Sequence, residues 1–577
     1  MMIRTQQGLR NMDLLPKFAV SMTMLSGLMC VACGLKGSDR DTLHGRDLIL
    51  ITVDTLRADA VGAYNPDAGP KPTIDSLAER GLLFSQALAP APRTTPSLAT
   101  LLSGRSPKQH GSREVGMAMS NDVPVLSQVL ARPDVFVARA SSATAVAAPD
   151  LSATGAEGLE SAYLNVAVSA SVVAGPAQGL SRGFDIFRLL PEWDPKAEKV
   201  TEAALEAVGT ALKSPHAGDR PLFLWVHYLD PHFSYEPLEE QNGSSEEDAC
   251  AKAIRTSGVS NAVVLLDLDG IASRALEDCT RRYRGEVARV DRAIHRLFDG
   301  LRQLGRAPEE SLVVFTSDHG EHLGETGFFF EHGPSLHDAA LRVPLIVAGP
   351  GIVLGRSNQP AELQDVAPTL MALLGVRTDA MPPMDGRSRA DRWLGWESDP
   401  SYEDSSESGR LAFLESNSNL HAKVWNTVVA GRSEEHCVHE ERWSLCGSGE
   451  DFETFRLYDH EADPWYKKEL TESHPEIVSR LWLQRQAWPP ETARERAVRG
   501  MRFKLVEVPL PSGGYERRLY DLQSDPAESR DVSADHPVVA ERLGRELDEF
   551  VADLPLPGEV VRDDANLEAL KALGYVD

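Results

Sequence analysis

Residues 47–54 read DLILITVD: a run of apolar and β-branched residues that ends abruptly at a carboxylate. The run is too short for an ordinary helix and does not alternate with polar residues. It therefore predicts a strand buried on both faces, as in a parallel sheet. The same form recurs along the chain. LFLWV (222–226) runs into His227, with Asp230 and His232 just beyond; LVVFTS (312–317) runs into Asp318 and His319; VPLIVAG ends at Gly349. Helical patterns lie between these runs. Thr73 to Arg80 ends at Gly81, Lys199 to Leu212 carries Ala204, Leu205, Val208 and Leu212 on one face, and Val287, Val290, Ile294, Leu297 and Leu301 repeat before Gly305. Strands alternating with helices predict an α/β fold, an open and mostly parallel sheet flanked by helices.

In such sheets ligands bind beyond the carboxyl ends of the strands. Asp54, Asp318 and His319 stand at such ends. One Asp after a strand is usually a turn or a helix cap. Two carboxylates and an imidazole at one crevice are instead an oxygen and nitrogen donor set for a divalent cation. A further residue belongs to this question. The stretch RTTPSLATLLSG (93–104) places two threonines before a short apolar helix. Thr is a good N-cap, Pro96 suits the first turn and Gly104 the C-terminal end. The alternative is that Thr94 supplies a fourth metal ligand and a nucleophile.

The 577 residues suffice for a large α/β unit and a smaller one. Lys and Arg number 59 against 86 for Asp and Glu, a formal net charge of −27, which excludes a general nucleic-acid binder. An anionic substrate must then be attracted locally, because the bulk field is screened within about 8 Å. At the N-terminus Arg4, Arg10 and Lys17 precede the apolar run FAVSMTMLSGLMCVAC (18–33), the form of an export signal. Its VAC-G end makes Cys33 resemble the acylated cysteine of a bacterial lipoprotein. Residues 1–33 are thus expected to be a lipoprotein-type signal peptide, and the chain an exported periplasmic or cell-envelope lipoprotein. Membrane contact is expected only through that N-terminal lipid anchor. Past it stand Cys250, Cys279, Cys437 and Cys446, an even number that predicts two disulfides, Cys250 with Cys279 and Cys437 with Cys446.

The order of motifs resembles the sulfatase family of the alkaline phosphatase superfamily. ITVDTLRADAVGAY (51–64) resembles the first metal-binding strand end, and TTPSLATLLSGRSPKQHG (94–111) the nucleophile helix. FLWVHYLDPHFSY (223–235) resembles the strand whose PH histidine faces substrate, and TSDHGEHLGE (316–325) the second metal-binding segment. YRGEVARVDRAI (283–294), EHGPSLHDAALRVPLIVAGPG (331–351) and DVAPTLMALLG (365–375) also match, so the resemblance covers residues 47–395 in order. It implies an alkaline-phosphatase-like catalytic unit at 47–395. It implies one divalent metal ion (calcium, manganese, zinc or magnesium) held by Asp54, Thr94, Asp318 and His319. His232 and His332 would bind the anionic oxygens of the substrate or assist the leaving group, with Arg57 a weaker candidate that supports the turn. The implied substrate is an anionic sulfate or phosphate ester, on a glycan or a lipid.

Departures from the family pattern sharpen the question. Thr94 occupies the place of the cysteine that becomes formylglycine, Leu98 that of the arginine that orients it, and Thr55 that of a second metal-binding Asp in many members. The family's lysine and histidine pair is not recognisable in the Ala/Ser/Val-rich region at 139–180. A metal-bound Thr resembles instead the sites of lipoteichoic-acid synthases, phosphoethanolamine transferases and nucleotide pyrophosphatases. The sequence thus supports a sulfatase-like hydrolase with a Thr nucleophile. The alternatives are a phosphodiesterase or phosphoryl-group transferase, and an inactive pseudoenzyme that binds anionic glycans.

Beyond an acidic, serine-rich stretch (396–409) lies an internal repeat: RLYDHEADP (456–464) recurs as RLYDLQSDP (518–526), and His474-Pro475 as His536-Pro537. Each unit reads as a strand, a turn at Asp-Pro and a helix. Residues 410–577 are therefore expected to form a smaller C-terminal α+β domain with two such units.

Overall fold

The computed structural model describes residues 43–136, 162–190, 192, 194–215, 217–233, 235, 250, 271–323, 329–332, 336–395, 412–415, 436–440, 443–447, 456–459, 469–479, 495–509 and 515–552. The proposed signal peptide lies outside the described residues. Among the described residues no helix is long and apolar enough to cross a membrane.

The four apolar runs that end in polar residues or glycine, DLILITV, LFLWV, LVVFTS and VPLIVAG, all form strands. In chain order the strands are β1 (Leu48–Val53), β2 (Gly81–Leu88), β3 (Leu164–Ser169), β4 (Ile186–Leu189), β5 (Leu222–Tyr228) and β6 (Leu312–Ser317). A small ribbon follows, β7 (His322–Leu323) with β8 (Phe329–Glu331), then β9 (Arg342–Ala348) and β10 (Gly355–Glu362). The main sheet has the order β10-β2-β9-β6-β1-β5-β3-β4. All its neighbours are parallel except β9, which runs antiparallel to both β2 and β6. The VPLIVAG run shares the unbroken apolar character of the parallel strands. That character reports burial on both faces and says nothing of direction. Gly349 accordingly lies at the opposite end of the sheet from Asp54 and Asp318.

Successive side chains of a strand face opposite sides, and β1 feeds two cores. Ile49, Ile51 and Val53 pack on one face with α3 (Ala197–Leu212) and α4 (Ile271–Gln303). Two shorter helices precede these, α1 (Pro72–Glu79) and α2 (Thr94–Ser103). Leu48 and Leu50 pack on the other face with α2 and with the helix Val366–Leu373. Burying each such side chain contributes about 1.5–3 kcal/mol. The helical repeat from Val287 to Leu301 is fully inside the first core. α4 begins well before that repeat, and its Cys279 is disulfide-bonded to Cys250.

The C-terminal region holds β11 (Ala412–Glu415), β12 (His436–Glu440), β13 (Trp443–Gly447), β14 (Arg456–Asp459), β15 (Arg496–Arg499), β16 (Phe503–Pro509) and β17 (Tyr515–Asp521). They form two antiparallel sheets, β12-β13-β14 and β11-β15-β16-β17. Several contacts recur at equivalent positions of the two repeated segments. Leu470 N–H donates to Leu457 O and Val532 N–H to Leu519 O, both at 2.8 Å. The Leu457 N–H donates to the Thr471 hydroxyl at 2.9 Å, and the Leu519 N–H to the Ser533 hydroxyl at 3.1 Å. His474 packs against Trp443 and His536 against Phe503, the rings tilted and their centroids 4.8 and 4.9 Å apart. Cys437 lies opposite Cys446 in the β12–β13 register, but the two side chains, and so the proposed second disulfide, fall outside the described residues.

The second unit is tied to the segment leading into β9 of the main sheet by buried charges. Lys504 is completely buried; its ammonium donates to the Leu336 carbonyl and meets Glu528 at 2.8 Å and Asp338 at 3.4 Å. Arg499 donates to both oxygens of Asp338 at 3.1 and 2.8 Å. Burial pushes the Asp338 carboxyl up, but Arg499 and Lys504 outweigh it and hold the carboxyl far below its usual range. Lys504→Ala should therefore strand the buried Glu528 carboxylate, while Asp338 keeps Arg499, and cost about 3–5 kcal/mol, read as a fall in melting temperature, while Arg530→Ala on the surface should change little. A depressed carboxyl contributes its stability above its unfolded pKa, about 3.9. The melting gap between wild type and Asp338→Asn should be full at about pH 6 and shrink as pH falls below about 4.

Candidate active site

β1 lies between β5 and β6, and the registers pair Thr52 with both His227 and Thr316. The strands therefore deliver Asp54, His227 and Asp318 to one place. All three are buried, and one donor atom from each lies within 4.8 Å of the others. The His319 Nε2 sits 3.6 Å from Asp54 Oδ1 and 3.4 Å from Asp318 Oδ2. His227 Nε2 is 3.5 Å from Asp54 Oδ2.

α2 brings the threonine. Arg93 is its N-cap residue, in extended conformation and without a side-chain cap, so Thr94 and Thr95 already lie inside the first turn. The capping reading of these threonines is thereby corrected: the helix starts earlier than the apolar pattern suggests. Thr95 is a brace, donating to Val173 O and accepting from the Gly116 N–H, each at 2.8 Å. The Thr94 hydroxyl instead points at the carboxylate cluster, 3.5 Å from Asp54 Oδ2 and 3.3 Å from His319 Nε2. At the other end Gly104 is left-handed (φ 68°), and a Cβ there would meet Met384 Sδ at 2.9 Å.

The turn after β1 is held in an unusual shape. Thr55 has φ 53°, rare for a β-branched residue, and its N–H donates to Asp318 Oδ1 at 3.3 Å. Tyr283 fixes the turn by donating to Thr55 O at 2.8 Å. Arg57 also serves the turn: it pairs with Asp59 at 2.7 Å and donates to Glu321 O at 3.0 Å. Leu98 is fully buried in the second core.

His232 and His332 lie at the mouth of the cluster, almost fully buried, with ring centroids 5.2 Å apart; the His332 ring is 4.5 Å from that of His319. His332 Nδ1 bonds Glu321 Oε1 at 3.1 Å, and Tyr235 donates to Glu321 Oε2 at 3.2 Å. Glu321, unassigned from sequence, orients His332. Burial, then nearby imidazoles and Arg93, hold His332 well below the usual imidazole range.

The donor set fits a divalent cation. Asp54 Oδ1, Asp318 Oδ2 and His227 Nε2 are buried with no hydrogen-bond partner. Burial, then the Asp54 charge, drives the Asp318 carboxyl well above its usual range. At Asp54 burial acts the same way, but the His227 ring 3.5 Å away and the neighbouring imidazoles outweigh it and hold the carboxyl low. Burial lowers His319 to about 4, so its imidazole is neutral at physiological pH. Its Nδ1 meets Gly320 O at 2.9 Å, which turns the Nε2 lone pair toward the carboxylates. His227 was passed over in the sequence. It lies within the strand run, and only its register with Thr52 reveals that it shares the site.

The chain is similar to proteins of a known family. The family model described as Sulfatase matches residues 46–376. A sulfatase from Formosa agariphila is 25% identical over 385 residues, covering 62% of this chain and 75% of that protein. The choline-sulfatase of Rhizobium meliloti is 30% identical over 160 residues, covering 27% of this chain and 28% of its own length. Among solved structures, the phosphonate monoester hydrolase from Silicibacter pomeroyi aligns over 88% of this chain and 94% of its own, with a TM-score of 0.54 and 18% identity. At that identity it shows the fold alone.

The paired carboxylates generate a prediction. Chelator-treated protein should gain melting temperature on addition of Mn²⁺ or Zn²⁺, by about 2.7 kcal/mol of stability at a hundredfold excess over Kd. Asp318→Asn should melt above chelated wild type, because one of two buried like charges is gone, and should lose the metal-induced rise.

Proposed function

The chain belongs to the sulfatase family, and on that premise we propose that it is a metal-dependent hydrolase of anionic esters with Thr94 as its nucleophile. The observation that carries the proposal is the Thr94 hydroxyl. It stands in the first turn of α2, within 3.3–3.5 Å of His319 and Asp54, and takes no part in capping. Asp54, Asp318, His319 and Thr94 would hold the cation. When bound, the cation lowers the pKa of the coordinated hydroxyl and offsets charge on the substrate's oxygens.

The chain's own groups then have distinct tasks. Thr94 Oγ1 forms the bond to the central phosphorus or sulfur, and the ester's alcohol oxygen leaves. His332, backed by Glu321, takes the proton from Thr94 and returns it to the departing alcohol. His232 faces the same oxygens. The α2 N-terminus presents backbone N–H groups and a positive dipole end to the developing charge. In the second half water attacks the same centre, its proton passes through His332 to Thr94, and the Thr94 oxygen leaves. Almost complete burial of the cluster excludes other water and strengthens each interaction.

Thr94 also bears on the substrate. Formylglycine hydrate has a second hydroxyl through which sulfate can be expelled. A threonine ester has none and must be cleared by direct attack at the central atom. That chemistry favours a phosphate ester over a sulfate ester, carried on a glycan or lipid outside the cytoplasm if the N-terminal segment is an export signal. Turnover of nitrophenyl phosphate mono- and diesters and of nitrophenyl sulfate, with and without Mn²⁺ or Zn²⁺, decides between them. Thr94→Ala should lose at least about a thousandfold in kcat with an unchanged melting temperature, and Thr94→Ser should keep measurable turnover. Wild-type turnover by Thr94→Ala on every ester would remove the nucleophile. No turnover by wild type on any of them would favour the inactive glycan-binding alternative.

A further inference from the structure

Building on the cation site of the proposed function, we propose that His227 is an additional ligand of that cation, so that the site carries two imidazoles and selects a transition metal such as zinc or manganese over calcium. Nothing in the motif carry-over places a metal ligand within β5. The strand register does: His227 pairs with Thr52, two residues before Asp54. His227 is completely buried, its Nε2 is 3.5 Å from Asp54 Oδ2, and that nitrogen has no hydrogen-bond partner. A buried imidazole nitrogen left unpaired beside two carboxylates is costly unless something positive sits against it.

The far side of the ring supports a ligand. Metal-bound imidazoles are oriented by a hydrogen bond at their other nitrogen. Here His227 Nδ1 lies 2.9 Å from the Thr52 hydroxyl, which accepts from Trp225 Nε1–H at 3.0 Å. With the Thr52 hydroxyl hydrogen turned to Val226 O, 3.5 Å away, Nδ1–H donates to Thr52 and Nε2 presents its lone pair. Trp225, Thr52 and His227 thus form a relay within two adjacent strands, and Thr52 is a positioning residue. His227 lies 3.5 Å from Asp54, His319 3.4–3.6 Å from Asp318 and Asp54, and Asp54, His227 and Asp318 within 4.8 Å of one another, spacings that do not choose between metals. The nitrogen content decides the selectivity, since calcium takes oxygen ligands and imidazole suits zinc and its neighbours.

The test uses the full chain, stripped with a chelator and titrated with Co²⁺, Zn²⁺ and Ca²⁺ by calorimetry, with X-ray absorption of the zinc form to count imidazoles. Wild type should show two imidazoles and bind Zn²⁺ at least about a hundredfold more tightly than Ca²⁺. His227→Gln should show one imidazole and weaken Co²⁺ and Zn²⁺ by about ten- to a hundredfold. His227→Asp should shift preference toward Ca²⁺, a change that a purely structural histidine would not produce. Thr52→Val, which keeps the imidazole and removes its support, should weaken Zn²⁺ by about tenfold and serves if the His227 variants fail to fold. One imidazole in wild type, or unchanged Zn²⁺ affinity in His227→Gln or Thr52→Val, would overturn the assignment while leaving the cation site standing. Asp318→Asn that binds Zn²⁺ as well as wild type would instead remove the cation site itself, and this inference with it.

Discussion

Two carboxylates that cannot both be charged without help govern this molecule. Asp54 and Asp318 stand at the ends of neighbouring strands β1 and β6, both within 1% of complete burial. The parallel register forces them together: once Val53 pairs with Ser317, the next residues must share one space. At close range in a poorly solvated site, like charges cost several kcal/mol. The surroundings offset part of this. The backbone N–H groups of Thr55 and His319 donate to Asp318 Oδ1, and Thr55 adopts a left-handed conformation that costs about 1–3 kcal/mol. Two oxygens, one on each carboxylate, remain without partners. Tyr283, reaching from α4 to the Thr55 carbonyl, is part of the same arrangement, as is Arg57 bracing the turn. The local strain thus accompanies the holding of the two carboxylates together.

Much of this was readable from the chain because strand ends are signalled by a change of residue type. DLILITV stops at Asp54 and LVVFTS at Asp318, so the strands, their burial and two site carboxylates come from one pattern. The 62-residue repeat was equally plain, and its two units carry the same leucine, hydroxyl and histidine contacts. What the pattern does not carry is relative placement. An apolar run reads alike in either direction, so β9 could not be recognised as antiparallel. His227 looks like one more strand residue until β5 is laid beside β1. Glu321 lies in a polar motif among several candidates, and only its contact with His332 marks it. The threonines of RTTPSL were ambiguous for a related reason: a helix that begins one residue earlier turns a cap into an interior residue.

The duplicated units are not equivalent in what they hold. Registers align Phe503 with Trp443, Leu505 with Leu445, and Lys504 with Ser444. The second unit alone therefore has an ammonium at this position, and it uses it on the segment leading into β9 of the main sheet. Lys504 and Glu528 meet the segment from Leu336 to Asp338, which follows His332 and leads into β9. Val506, Tyr520 and Ala497 cover Leu336 and Leu341 on the same side. A strand pair far along the chain thus fixes the segment from Leu336 to Leu341 that leads into β9. Buried ion pairs contribute little net stability compared with apolar packing. Their worth here is geometric: a charged knot accepts one arrangement of Leu336 and Asp338, where apolar contacts alone would accept several. Glu321 holds His332 within the site, and the Lys504 knot holds Leu336 and Asp338 where the chain enters β9.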